Sequence, residues 1–517
     1  MLSLFLPLFL VFLLIGVPVF FAMLAAPGLL LFFNGQESDI ALMYRNVFNG
    51  IDNGVLLAIP FFMLAGELMN RGGITERLVN FSQAIIGSVR GGLAQVNILS
   101  SMLFAGMSGS AVADTSALGS MLIPAMEKEG YSRKFAAAIT AASSVIGPII
   151  PPSGIMIIYA YVMEVSVAAL FAGGIVPGVL VGLGLMLVTR LMANRYDYPP
   201  GKKVVMPEAK ISRMEDISAR VITRLMLASL LYPLVSRLLD LAGGFPGGEG
   251  SDEEGWSAFL FVFGASLVLV EGLLAIQRRL MSETFRIVAK RAVLPLLTPV
   301  IILGGILGGV VTPTEASALA VAYAAFLSLV VLRTMKFSEL GPVLTRSAIT
   351  SAVVLLLVGA AMAFKTVVSL SHVAESLAVF IVSLTSDPLM LLLLINILLF
   401  VVGMFLDAGP AIIILGPILA PIFVNMGVHP VHFAMIMSVN LTVGLATPPM
   451  GLVLFVASSV SNVKVETISR VILPFLAVEV FVIFLITYFP IISLGIPAWM
   501  GFVKDVDLLG PILAAFW

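Results

Sequence analysis

No cysteine occurs among the 517 residues, so disulfides, thiol nucleophiles and thiolate metal sites are excluded. Three histidines leave little from which to build a histidine metal site. Charge is scarce as well: 11% of residues are charged against 60% hydrophobic, with a mean hydropathy of +1.12. A soluble fold of this length could not bury so much apolar surface, so the chain is an integral membrane protein with no soluble domain of any size. The formal net charge of −1 and the lack of a basic patch beyond membrane-flanking loops leave nucleic-acid binding without a footing. What is abundant is the apolar run of about 20 residues that crosses roughly 30 Å of hydrocarbon. The 46 glycines and 29 prolines lie largely inside such runs. Membrane helices tolerate them where neighbours satisfy the freed backbone, so broken helices are expected.

Residues 2–33 read as one long apolar span, without the positive start or small-residue cleavage site of a signal peptide. A loop over 34–54 and a second span over about 55–69 follow. Residues 70–92 carry Arg71, Arg77 and Arg90 against Glu76 alone, which places this loop, and by parity the N-terminus, in the cytoplasm. The run 93–126 is interrupted at Gly106-Met-Ser-Gly-Ser110 and holds Asp114 and Thr115, the pattern of a re-entrant hairpin with a small polar tip. A span over about 135–163 breaks at Gly147-Pro-Ile-Ile-Pro-Pro-Ser-Gly154, and another covers about 168–193. The basic segment 190–224 is the strongest inside signal. Apolar runs over about 221–242 and 256–277 enclose the acidic turn GGFPGGEGSDEEG and form an extra spanning pair. Further spans fall at about 292–311, 315–332 and 347–370. A second interrupted run starts at 389 and breaks at Asp407-Ala-Gly-Pro410; a broken span over about 432–460 and a last span over about 471–495 complete the pattern.

The second interrupted run repeats the first. At a constant offset of 297, nine residues (Gly106, Gly119, Pro124, Gly130, Gly147, Pro151, Pro152, Gly154 and Pro177) meet Gly403, Gly416, Pro421, Gly427, Gly444, Pro448, Pro449, Gly451 and Pro474. Composition alone gives roughly one such coincidence over that stretch, so an internal repeat is present. An odd number of spans separates the copies, which turns the second upside down. The expected fold is therefore an all-α polytopic membrane protein with inverted-topology repeats, two re-entrant helical hairpins and discontinuous helices, an arrangement typical of secondary transporters. Its parts are N-terminal scaffold spans (1–92), the first repeat (93–193), the basic segment with the extra pair (194–291), more scaffold (292–388), the second repeat (389–495) and a tail (496–517).

Broken backbone sets the chemistry. Helix C-termini inside the membrane expose carbonyls that suit a hard cation, and helix N-termini favour an anion. Ser108, Ser110, Asp114, Asp407, Thr447 and the carbonyls of Gly147–Pro152 and Gly444–Pro449 are candidate oxygen donors for sodium. Each break is expected against its own hairpin tip, giving one cation site per repeat. An anionic substrate would sit between the tips near Ser108, Ser110, Asn440 and Thr442.

At these residues the chain resembles a known family. GMSGSAVADTSALGSMLIPAM, SSVIGPIIPPSGIMIIYA, VTPTEASALAV, GMFLDAGPAIIILGPILAPI and NLTVGLATPPMGLVLFVAS are similar to the large membrane subunit of tripartite ATP-independent periplasmic (TRAP) transporters. The similarity runs from PFFMLAGELMNRGG at 60–73 to the last span. It implies an elevator-type, sodium-coupled importer of small organic anions in a bacterial inner membrane. It also implies two protein partners, a periplasmic substrate-binding protein and a small four-helix membrane subunit, and no organic cofactor. The family's hairpin-tip sodium sites carry over to Gly106, Ser108, Gly109 and Ser110 with Gly147, Ile149 and Pro152, and to Gly403 and Asp407 with Gly444, Thr447 and Pro449. The pair at 221–277 exceeds what the resemblance leads one to expect.

Several polar residues admit a second reading. Lys365 in an apolar span is either a substrate contact or a side chain snorkelling to the outer interface. Glu67 and Arg71 are spaced for an i,i+4 pair, and Glu315 after Thr312-Pro-Thr for a helix cap. Glu479 sits mid-span, and His372, His429 and His432 are expected to face solvent on the outer side. Gly106-Met-Ser108-Gly109 matches the short G-x-S-G around the nucleophile of intramembrane serine proteases. That chemistry needs a histidine base in reach, and the repeat sets Phe405 opposite Ser108, so the chain is not expected to be an enzyme. A proton-coupled or sodium-coupled anion transporter or antiporter acting without a binding protein stays open.

Overall fold

The computed structural model describes residues 5–195, 198, 213–241, 252–370, 379, 383, 385 and 387–504. Among them every regular element is a helix, and eight helical stretches are long and apolar enough to cross a membrane. Lys202, Lys203, Lys210, the acidic turn at 243–251, His372, Glu375 and the tail beyond 504 lie outside the described residues.

The first repeat consists of α6 (Gly92–Ser108), α7 (Ala111–Lys128), α8 (Arg133–Ser144), α9 (Gly154–Met163) and α10 (Val167–Arg195). The second has α16 (Pro388–Phe405), α17 (Ala408–Asn425), α18 (Pro430–Gly444), α19 (Leu452–Ser461) and α20 (Val465–Tyr488). Shifted by 297, the start of every helix in one repeat falls within two residues of the start of its counterpart in the other. The left-handed Gly130 and Gly427, with φ of +96° and +93°, end the hairpins at equivalent positions, where glycine carries no Cβ penalty. The α6–α7 hairpin is closed near its base by Asn97, whose Nδ2 lies 3.8 Å from Met126 Sδ. Buried hydroxyls and amides tie it to α8: Asn97 Nδ2 donates to Thr140 Oγ1 at 2.7 Å and Ser101 Oγ to Ser143 Oγ at 2.9 Å.

The two copies exchange contacts. A Cβ on Gly119 of α7 would lie 3.4 Å from Val460 of α19, and one on Gly416 of α17 would lie 3.5 Å from Met163 of α9, each pair being the other's image at offset 297. Equivalent helices also run in opposite directions. Along α10, Gly173 meets Ser493 just beyond the end of α20, and Gly184 meets Val478 eleven residues later, so partner numbers fall as α10 advances. Antiparallel packing of α10 on its own counterpart is the geometric form of the inversion. Because the natural sequence has no cysteine, single cysteines report topology directly. Glu129→Cys and Met426→Cys, at the bases of the two hairpins, are expected to react with an impermeant maleimide from opposite sides of the membrane. Labelling of both from one side would contradict the inversion.

The scaffold is α1 (Phe5–Leu14), α2 (Val19–Phe33), α3 (Glu37–Ile51), α4 (Ala58–Arg71), α5 (Ile74–Ile86), α11 (Arg213–Leu241), α12 (Asp252–Leu280), α13 (Glu283–Leu307), α14 (Pro313–Phe326) and α15 (Leu340–Leu370). Several sequence expectations need correction. The apolar segment 2–33 is two helices, not one span, because Gly16, with φ of +85°, and Pro18 interrupt it. The expected loop 34–54 is mostly α3, which lies along α15 and is pinned by Asn46 Nδ2 donating to Thr366 Oγ1 at 2.9 Å. The final span stops at Tyr488 and is followed by the short α21 (Ile491–Trp499). His432 is buried, bonded to Ser493 Oγ at 2.7 Å and to the Thr487 carbonyl at 3.1 Å, and does not face solvent. The extra pair is present as α11 and α12, joined by an Arg224–Glu271 ion pair.

Candidate functional site

The first hairpin turns at Gly109, whose φ of +60° is a left-handed conformation that glycine adopts without strain. Ser110 caps α7, its Oγ accepting from the Ala113 amide at 3.4 Å. The Ser110 amide in turn lies 3.4 Å from Ser108 Oγ, and the Ser108 hydroxyl donates to the Asp114 carboxylate. Asp114 is wholly buried. Its second oxygen, Oδ2, has no hydrogen-bond partner. A buried carboxylate oxygen without a partner costs several kcal/mol unless something positive or protic meets it.

The break after α8 is folded against this tip. Asp114 Oδ2 is the first atom that a Cβ on Gly147 would strike, so only glycine lets the end of α8 come so close. A Cβ on Gly109 would lie 2.7 Å from the Pro152 carbonyl oxygen, and one on Gly106 would lie 3.8 Å from the Pro151 carbonyl. Ser108, Gly109, Ser110, Asp114, Gly147 and Pro152 are therefore gathered in one small polar volume. Ile149 stands apart: its carbonyl is set against Gly174 of α10. Scaffold helices press on the tip from outside, with Gly66 of α4 facing Ser108 and Pro299 of α13 facing Gly106.

The second tip is built differently. Asp407, equivalent to Ser110, caps α17 by accepting from the Ala408 amide at 2.8 Å. The position equivalent to Asp114 is Ala411, so the buried carboxylate of the first tip has no counterpart here. Gly403 and Gly444 pack backbone to backbone; a Cβ on Gly403 would lie 3.1 Å from Gly444 Cα. The break here is more self-contained: the Gly444, Leu445 and Thr447 carbonyls accept from Thr447, Val453 and Gly451, and the Thr447 hydroxyl donates to Val443 at 2.9 Å. Asp407, Phe405 and Pro449 are exposed, whereas Ser108, Gly109 and Ser110 are half-buried, so this tip is the more open of the two. The expected substrate residues Asn440 and Thr442 are not at either tip surface. Thr442 is buried with its hydroxyl on the Ser438 carbonyl at 2.7 Å. Asn440 donates to Asn396 Oδ1 at 2.6 Å while its own Oδ1 is buried without a partner.

Comparison with known proteins decides the family. The family model of the tripartite ATP-independent periplasmic transporter, DctM component, matches residues 6–492. The chain belongs to this family. It is 34% identical to the sialic acid TRAP transporter large permease protein SiaM of Vibrio cholerae, covering 93% of this chain and 95% of SiaM. It is 35% identical to the C4-dicarboxylate TRAP transporter large permease protein DctM of Pseudomonas aeruginosa, covering 88% and 89%. The crystal structure of the YdaH transporter of Alcanivorax borkumensis shares the fold, with a TM-score of 0.53 over 92% of this chain and 90% of that one at 16% identity. This TRAP large subunit is a multi-pass membrane protein, and the relatives named here are transporter permeases, not serine proteases.

Sequence reasoning missed the polar seam of this TRAP subunit behind the tips: Asn97, Ser101, Thr140 and Ser143 in one repeat, and Asn396, Asn440 and Thr487 in the other. The available signal was the run of amides and hydroxyls, Gln95, Asn97, Ser100 and Ser101, in an otherwise apolar arm. Lys365 reaches neither tip. Its Nζ donates to the Val162 carbonyl at 2.9 Å and pairs with Glu164 at 3.0 Å, so it caps the C-terminus of α9 from the scaffold. With Glu164 80% exposed, the pair is weakly stabilising. Glu164→Gln is accordingly expected to change substrate uptake less than about threefold and leave the apparent KM in place; a KM shift of tenfold or more would restore Lys365 as a substrate contact. Glu67 pairs with Arg71 at 3.2 Å, and Glu315 completes a capping box with Thr312.

Proposed function

We propose that this chain is the membrane-embedded transport subunit of a sodium-coupled importer of small organic anions, handed over by a periplasmic binding protein and working beside a small membrane subunit. The observation that carries the reading is the first tip: a buried carboxylate with one free oxygen, a hydroxyl on its other oxygen, and the carbonyls of Pro151 and Pro152 beside the turn. Such an all-oxygen set suits a small hard cation. Ser108, Ser110 and Asp114 would hold sodium there with Pro152, and Asp407 with the Gly444–Pro449 break would hold a second ion at the open tip. Sodium supplies the electrical and chemical driving force; the chain's own work is to bind, orient and exclude water.

The N-termini of α7 and α17 end at the two tips, and their unpaired amides and positive dipole ends favour a carboxylate once a cation is bound nearby. Sialic acid and C4-dicarboxylates, named for the relatives, are both acids of that kind. Movement of the two repeats as one body against the scaffold, in an elevator fashion, fits the glycine-lined contact of Gly66 with Ser108, which leaves a smooth sliding surface.

The test is uptake into proteoliposomes containing this chain with its small subunit. A labelled acid carried by the cognate binding protein should accumulate, and the same acid offered free at equal concentration should not. Equal uptake without the binding protein would favour a stand-alone anion transporter.

A further inference from the structure

A second polar site lies where α11, α12 and α13 meet. It is a cavity of about 390 Å³ whose walls carry Arg220, Arg224, Arg278, Arg286 and Lys290 against a single lining acid, Glu283. Two further acids neutralise part of this charge from outside: Asp216 pairs with Arg220 and with Lys290 at 2.9 Å, and Glu271 pairs with Arg224. Among the described residues Arg278 has only the charge of Glu271 at longer range, and Arg286 makes no salt bridge. Arg286 Nε is shielded from solvent and has no hydrogen-bond partner. Cationic donors left idle in a concave wall call for an anion with several acceptor oxygens.

The surroundings narrow the class of anion. On α12, Val268, Leu269, Leu273 and Ile276 are exposed within the three turns that precede the cavity residues Gln277 and Arg278, and on α11 Val221 and Leu225 are exposed beside Arg224. The ligand's charged end therefore meets arginine while its remainder has an apolar helix face to lie along. The basic residues place this end of the pair at the cytoplasmic leaflet, where anionic phospholipids reside.

We propose that the α11–α13 cavity binds the phosphate headgroup of an anionic phospholipid, whose acyl chains run along the exposed apolar face of α12. This gives the extra helix pair a task that the transport repeats do not have: anchoring the scaffold to the inner leaflet through a specific headgroup.

The experiment uses the full chain in nanodiscs of phosphatidylcholine doped with phosphatidylglycerol, read by native mass spectrometry and thermal shift. The wild type should retain phosphatidylglycerol in preference to phosphatidylcholine and gain thermal stability with its mole fraction. The Arg278→Gln, Arg286→Gln double variant should lose roughly tenfold in that preference. Arg279→Gln, which removes one charge next to Arg278 but outside the cavity wall, should keep it, whereas Arg278→Gln alone should already lower it. The proposal is overturned by equal losses in the double variant and Arg279→Gln, or by no headgroup preference in the wild type. Full protection by inorganic phosphate or soluble glycerophosphate at the lipid's concentration would make the site one for a soluble anion. Loss of the bound lipid when the small subunit is added would make the cavity a subunit interface.

Discussion

Asp114→Ala is expected to lower sodium-dependent uptake on the order of 100-fold while the protein still reaches the membrane in normal amount. The magnitude follows from removing a charged oxygen ligand and its charge-assisted hydrogen bond, worth about 3 kcal/mol at roughly 1.4 kcal/mol per factor of ten. In the folded chain the carboxylate divides its work: one oxygen takes the Ser108 hydroxyl and steadies the tip, the other faces the end of α8 with nothing to bind. Asp114→Asn separates the two tasks. It can still accept the Ser108 hydroxyl, so the tip should keep its shape, but the negative charge is gone and sodium activation should be lost as in the alanine variant. Retained sodium activation in Asp114→Asn would reduce Asp114 to a structural brace. By contrast Ala411, its counterpart, has no such group, so Ala411→Ser is expected to be silent in the same assay.

The second large effect is expected at Gly109. Alanine there meets two obstacles: a left-handed backbone that costs about 1–3 kcal/mol for a residue with a Cβ, and the Pro152 carbonyl 2.7 Å from where that Cβ would sit. The tip must back away from the break, and the oxygen set around Asp114 opens. Uptake should fall roughly 10- to 100-fold, with the half-saturating sodium concentration rising in step. Gly130→Ala is the control, because its φ of +96° is also positive but open space surrounds it. It should cost stability without moving the sodium dependence. A common phenotype for the two variants would show that backbone strain alone, and not the contact with the break, governs transport.

The parts of the fold that were legible in the sequence are those written in glycine and proline. Gly147 with the adjacent Pro151 and Pro152, and their copies at 444, 448 and 449, disfavour a continuous helix when clustered, so they mark the breaks, and their constant spacing exposes the repeat. The odd number of spans between the copies implies the inversion, and the antiparallel course of α10 and α20 agrees with it. Asp114 stood out because a carboxylate in an apolar run must have a reason. What was not legible depends on which face a side chain takes after packing. Residues 34–54 are polar enough to read as a loop, yet they form α3 because α15 offers Thr366 to Asn46. His432 looked like an outer-surface residue by position alone, but Ser493 and the Thr487 carbonyl from α21 and α20 draw it inside. Thr442 resembles a substrate ligand by composition, whereas its hydroxyl turns back onto its own helix. Spacing along one helix cannot reveal partners that arrive from sequence separations of 55 residues or more.

One measurement bears most directly on the account: accumulation of a labelled carboxylate, delivered by the binding protein, in proteoliposomes under imposed ion gradients. An inward sodium gradient at symmetrical pH should drive uptake, an inward proton gradient without sodium should not, and Asp114→Asn should abolish the sodium response. Uptake that follows the proton gradient and ignores sodium would contradict it.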